Sequence, residues 1–290
     1  MDYELVEEVA KELYIRALKE LPPDVAEALR RALQRETHPT ARTVLKTILK
    51  SIEISETNRM LICQDTGLPL YMVTAGGPWA LDGCRLKAAL AAGTRRATLE
   101  HPFRGSTAHP ITRDNPQDNL GQGMPIIYWD FAPEQDYLEI VMVPKGSGSE
   151  NMSAMEMFTP ADGLGAIKRF VVDKVVCSGG NPCPPGIIGV GIGGSFDSVG
   201  LLAKKAIVRP VGRRNPDPMF AALEEELEDA INRSGIGPMG LGGDTTTLAV
   251  HIEWSYTHIT QNPVAVNNQC WAARRARARL WPDGRVEYGF

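Results

Sequence analysis

Four Gly- and Pro-rich connections constrain this 290-residue chain more than any other feature. They are Gly146-Ser-Gly148, the stretch from Gly179 through Pro182, Cys183, Pro184 and Pro185 to Gly186, Gly189 to Gly194, and Gly235 to Gly243. Tight turns explain any one of them. Permissive Gly recurring in four separate stretches, with stiff Pro beside it in two of them, points to a backbone shaped around something bound. Between them, short β-rich runs alternate with helical stretches. The runs are Leu70–Thr74, Ile126–Phe131, Leu138–Val143, Ile187–Val190 and Leu248–Ile252. Helices are expected around 82–99, 162–176, 198–208 and 217–233. The fold class is therefore mixed α/β, with the strand pairing left open by the order.

The first sixty residues read as helical. Val6, Val9, Leu13 and Leu18 form one apolar stripe, and Pro22-Pro23 break it. Val25, Ala28, Leu29 and Leu33 continue a second helix, and Thr40 is a candidate N-cap for a third with Val44, Leu45, Ile48, Leu49 and Ile52 on one face. The expected organisation is a helical segment, 1–60, packed on a mixed α/β region, 61–290, that holds its bound group on loops. A formal net charge of −4 gives no reason to expect nucleic acid or an anionic membrane as partner, so an anionic ligand would need local cations. The acidic start at Met1-Asp2-Tyr3-Glu4-Leu5 lacks a leader pattern, and no run approaches the roughly 18 apolar residues of a membrane helix. The expectation is a cytoplasmic protein.

Five cysteines, an odd and sparse set, argue against a disulfide framework. Cys63 lies in Ile62-Cys-Gln-Asp-Thr-Gly67 at a junction between helix and strand. Cys183 sits among three prolines, and Cys270 follows Asn267-Asn-Gln and precedes Arg274, Arg275, Arg277 and Arg279. None of these three lies on an apolar stripe. Cys84 and Cys177 fit a small buried hydrophobe better, although Cys177 competes with Cys183 as a ligand. Three distant thiolates match no short zinc spacing but suit an iron–sulfur site assembled from loops. With three protein ligands, one iron stays open as a Lewis acid. Gly189-x-Gly191-x-x-Gly194 imitates a dinucleotide fingerprint between strand and helix. It lies deep in the chain, and Arg213 and Arg214 stand where a ribose-binding acid belongs, so it is a weak signal for a nicotinamide cofactor.

Cys63-Gln-Asp-Thr-Gly67, Lys145-Gly-Ser-Gly-Ser-Glu-Asn151, Cys183-Pro-Pro-Gly-Ile-Ile-Gly-Val-Gly-Ile192 and the Cys270 segment together resemble the class I, iron–sulfur fumarate hydratases and the related L-tartrate dehydratases. The match runs in order over about residues 40–280 and corresponds to the family's N-terminal domain or α subunit. The resemblance implies a 4Fe–4S cluster on Cys63, Cys183 and Cys270, with Cys-Pro-Pro selecting Cys183 over Cys177. It implies that Gln64 contacts substrate and that Asp65 is the proton-transfer acid. Arg104 aligns with a carboxylate-binding arginine, and Gly146, Ser147, Ser149 and Asn151 with a substrate-contacting loop. His258 resembles an active-site histidine, against the plainer reading of a structural one.

The implied reaction is reversible hydration of fumarate to (S)-malate, a step of the tricarboxylic acid cycle, with L-tartrate dehydration as the alternative. The Lys145–Met152 run favours fumarate. Long family members carry further catalytic groups in a second domain, so the resemblance implies a separate β subunit and an α₂β₂ or larger assembly. A rival of another class is a non-catalytic or electron-transferring iron–sulfur protein, which would show four protein ligands.

Overall fold

The computed structural model describes residues 1–77 and 79–290. In chain order the elements begin with α1 (Tyr3–Lys19), α2 (Pro23–Arg35), α3 (Pro39–Thr57), β1 (Leu68–Gly76), α4 (Gly83–Glu100), β2 (Ile126–Ala132) and β3 (Leu138–Lys145). Then come α5 (Ser147–Glu150), β4 (Ala154–Phe158), α6 (Gly163–Ser178), β5 (Gly186–Gly193), α7 (Ser198–Ala206) and α8 (Pro218–Asn232). Four strands finish the chain: β6 (Thr247–Ser255), β7 (Asn262–Gln269), β8 (Ala276–Leu280) and β9 (Val286–Gly289). The class is mixed α/β, as expected. Among the described residues no helix is long and apolar enough to cross a membrane.

Contacts divide the chain into two compact units. The first comprises 1–22, 54–147 and 274–290, and the second 23–53 and 148–273. In the first, the sheet order is β2-β1-β3-β8-β9, with β1 and β2 parallel and the other pairs antiparallel. Val6, Val9, Leu13 and Leu18 of α1 and Leu86 and Leu90 of α4 bury against Tyr71, Val73, Ile140 and Met142 of the sheet. The α1 stripe read from the sequence is thus the face that makes this core. Pro39 opens α3, so Thr40 lies inside its first turn and not at the N-cap. A proline supplies a helical φ where no N–H is needed, which makes it the better starter.

In the second unit the sheet order is β4-β7-β5-β6, and only β5 and β6 run parallel. Ile188 and Val190 of β5 face α6 and α8 in one core, with Phe220, Leu227 and Ile231. The alternating residues of β5 are glycines, and they meet α7. A Cβ on Gly189 would stand 2.3 Å from the Ala203 carbonyl oxygen, and one on Gly191 would stand 2.2 Å from that of Val199. The apparent dinucleotide fingerprint is therefore a close strand–helix packing device. Arg214 is occupied as well, pairing with Glu228 of α8 at 2.8 Å. Gly191→Val forces backbone against side chain, with a destabilisation of about 1–3 kcal/mol or more expected. Thermal unfolding followed by circular dichroism checks this, and an unchanged Tm would refute the packing role.

Candidate functional site

The Cys63–Gly67 turn enters β1, and its residues have little freedom. Gly67 adopts φ +68°, where a Cβ would sit 2.6 Å from the Pro144 carbonyl carbon at the end of β3. Only glycine accepts both conditions. The tight passage holds the Asp65 carboxylate between two backbone donors. The Gly67 N–H donates to Oδ1 at 2.9 Å, and the Ser147 N–H donates to Oδ2 at 3.0 Å. Behind the turn, the buried Tyr14 hydroxyl donates to the Thr66 carbonyl at 3.1 Å. Burial pushes the Tyr14 phenol well above its ordinary range, so it remains a donor.

Thr66, itself buried, ties this turn to the segment that follows α4. Its hydroxyl donates to the Arg104 carbonyl at 2.6 Å and lies 3.0 Å from the Ser106 hydroxyl. Asn119 closes the same network. Its Oδ1 accepts from the Ser106 N–H at 2.6 Å, and its Nδ2 donates to the Arg104 carbonyl at 3.1 Å. The result is a pocket of about 380 Å³ within the first unit, whose wall includes Gln64, Asp65, Arg104, Arg113, Lys145 and Ser147. Three cations face one carboxylate in a chain whose net charge is negative. Among the described residues neither Arg104 nor Arg113 forms an ion pair, while Lys145 is almost wholly buried.

Gln64, Asp65, Arg104 and Ser147 thus stand on one pocket wall. Gly146 belongs with them, since a Cβ there would sit 3.2 Å from Asp65 Oδ2. Ser149, Asn151, His258, Cys183 and Cys270 belong to the second unit. There Ser149 is buried and Asn151 exposed. His258 is exposed on the loop after β6, with Nδ1 2.9 Å from the Thr260 hydroxyl. The sequence reading did not single out Arg113, and it quoted Lys145 without a role. For Lys145 the available signal was its place at the head of a Gly-rich loop. For Arg113 there was none.

The second unit brings Cys183 and Cys270 together through the backbone. The Trp271 N–H donates to the Cys183 carbonyl at 3.0 Å, and the Cys183 N–H donates to that of Gly180 at 3.0 Å. Cys183 adopts φ +55°, a region that L-residues other than Asn and Asp seldom occupy. Cys63, Cys183 and Cys270 are each partly exposed. Cys84 and Cys177 are exposed on helices, which corrects the expectation that they are buried packing residues. Among the described residues no disulfide forms, and no three His, Cys, Asp or Glu side chains converge as a metal-binding group.

Comparison with known proteins gives the family of the chain. The model of the fumarate hydratase (Fumerase) family matches residues 7–279. The chain is 41% identical over 97% of its length to the "Putative L(+)-tartrate dehydratase subunit alpha" of Methanocaldococcus jannaschii, covering 99% of that protein. It is 33% identical over 91% of its length to the L(+)-tartrate dehydratase subunit alpha of Escherichia coli K12, covering 86% of that one. These findings put the chain in the class of hydro-lyases. It belongs to the fumarate hydratase (Fumerase) family, as the four motifs indicated.

Proposed function

We propose that this chain is the α subunit of an iron–sulfur hydro-lyase that reversibly hydrates fumarate to (S)-malate. The observation that carries the reading is the pocket lined by Arg104, Arg113 and Lys145 together with an Asp65 held by two N–H donors. A four-carbon dicarboxylate carries two negative charges, and arginine binds carboxylates with paired donors in a fixed plane. In this reading Arg104 holds one carboxylate, with Arg113 and Lys145 adding positive charge around it. Gln64 and the Ser147 hydroxyl orient the substrate by hydrogen bonds. Each Asp65 oxygen already accepts one N–H and keeps a lone pair, so the carboxylate can exchange the proton bound to the substrate carbon. The water oxygen bonds to the neighbouring carbon as the double bond is consumed, the second water proton leaves to solvent, and Asp65 regains a proton from solvent to close the cycle.

Cys63, Cys183 and Cys270 suit a 4Fe–4S cluster by donor chemistry: soft thiols, partly exposed, two of them tethered to each other. When bound, the cluster supplies a Lewis acid for substrate oxygens. Ser149, Asn151 and His258 are assigned to the same site on the strength of the motifs. A β subunit completing an α₂β₂ or larger assembly is part of the proposal. It is supported by the relatives' names, which call them α subunits.

Those names also favour a second reading, L-tartrate dehydration. Assay of the chain co-expressed with its partner against both acids decides between them. Turnover of tartrate without fumarate would replace the first reading, and full turnover by this chain alone would remove the β subunit from it. Arg104→Gln tests the pocket itself. Hydrogen bonds to charged groups contribute about 1.5–3 kcal/mol, so KM for the dicarboxylate should rise about 10- to 100-fold. An unchanged KM would mean that the substrate binds elsewhere.

A further inference from the structure

Arg274 precedes β8 in the first unit and is only 2% exposed. Its Nη1 donates to the Asp65 carbonyl at 2.7 Å. Its Nε is buried with no hydrogen-bond partner, and among the described residues no carboxylate pairs with the guanidinium. A buried cation without a counter-ion is costly, and an apolar side chain of similar volume would fill the space at less expense. Packing alone therefore does not account for an arginine here. Its surroundings do. A Cβ on Gly146 would stand 3.8 Å from Arg274 Nη2 and 3.2 Å from Asp65 Oδ2, so the guanidinium lies just behind the wall that carries the carboxylate.

We propose that Arg274 is a positioning residue for Asp65, acting through the Asp65 backbone. The proposal rests on the pocket reading above. Two successive carbonyls of the turn are gripped from behind by buried donors, that of Asp65 by Arg274 and that of Thr66 by Tyr14. From the front, the Gly67 and Ser147 N–H groups hold the carboxylate. Fixing both ends of Asp65 leaves its side chain one direction to point, into the pocket. The fixed charge also adds to the positive field that a dicarboxylate meets. Of the arginines that follow Cys270, Arg274 donates to the Asp65 turn, while Arg277 and Arg279 lie near Glu139.

The test is Arg274→Met in the chain co-expressed with its partner, alone and combined with Asp65→Asn. Small misplacements of a reacting group cost about 10²-fold in rate. The expected result is a fall of that size in kcat with KM little changed, and a much smaller fall in the Asp65→Asn background. Amide hydrogen exchange of Gly67 and Ser147 should accelerate while exchange in the second unit stays as it was. Equal losses in both backgrounds, an unchanged kcat, or unchanged exchange at those two amides would overturn the proposal. If Arg274→Met does not fold, Arg274→Lys carries the same cycle with a smaller expected loss. Wild-type kcat in Arg274→Lys would then assign Arg274 to folding and overturn the proposal. Arg104→Gln serves as the control. If it leaves KM unchanged, the pocket reading fails, whereas the exchange result still reports on Arg274 by itself.

Discussion

Asp65→Asn should lower kcat by about 10²- to 10⁴-fold, the range that a positioned acid–base group contributes, and leave KM nearly unchanged. The substitution preserves shape, so it removes the titrating oxygen without opening a cavity. It does disturb the turn slightly. Both carboxylate oxygens accept a backbone N–H, from Gly67 and from Ser147, and an amide nitrogen can accept neither. A modest fall in Tm is therefore expected beside the large fall in kcat. Steady-state kinetics on the folded variant, with circular dichroism as the control for structure, gives the answer. A kcat close to that of the wild type would remove Asp65 from the chemistry.

The second large effect concerns the thiols. Cys183→Ala should lose bound iron, sulfide and turnover together, whereas Cys177→Ala should keep all three. Cys177 is exposed near the end of α6. Cys183 is held at φ +55°, and its carbonyl accepts from the residue after Cys270. Backbone strain of this kind costs about 1–3 kcal/mol and persists where the surrounding structure enforces it, often at functional sites. Alanine meets the same φ penalty as cysteine, so the replacement tests the sulfur and not the backbone. Anaerobic iron and sulfide quantification on both variants, and on Cys63→Ala and Cys270→Ala, is the measurement. Loss on Cys177→Ala with retention on Cys183→Ala would reverse the ligand assignment.

Much of the architecture was legible where one face of an element is apolar. The α1 stripe and the runs of β1, β2, β3, β5 and β6 were each visible, because burial on one side writes a period into the residues. The strand β7 was not visible. It ends in Asn267, Asn268 and Gln269, which are all buried polar residues. The two asparagine amide nitrogens find partners far along the chain: Asn267 Nδ2 donates to Glu150 and to Ser153, and Asn268 Nδ2 donates to the Met152 carbonyl, while Oδ1 of each is buried without a partner. Nothing local announces those partners. The strand β8 was written plainly as Ala276-Arg-Ala-Arg-Leu280, with Ala276, Ala278 and Leu280 buried. The arginines at 274, 275, 277 and 279 give this segment a strongly charged character that masks the alternation.

The Gly189–Gly194 run shows the opposite case, a motif legible but ambiguous. Alternate glycines can admit a pyrophosphate or a helix backbone, and the residues alone do not distinguish them. The position of α7 against β5 decides for the helix.

For the site, the sequence by itself determined the residue types and their order: Cys63 beside Gln64 and Asp65, the Lys145–Asn151 loop, and Cys183 locked among prolines. Those follow from local chemistry, since a motif of contiguous residues carries its own hydrogen-bonding and conformational demands. Only the tertiary structure decided which distant groups face Asp65. It brought Ser147 to the carboxylate and Arg274 to the carbonyl, and it placed Arg113 and Lys145 on the pocket wall. The physical reason is that pairing β1 with β3, and β3 with β8, brings to Asp65 a residue 82 positions away and another 209 positions away, and no local pattern encodes that approach.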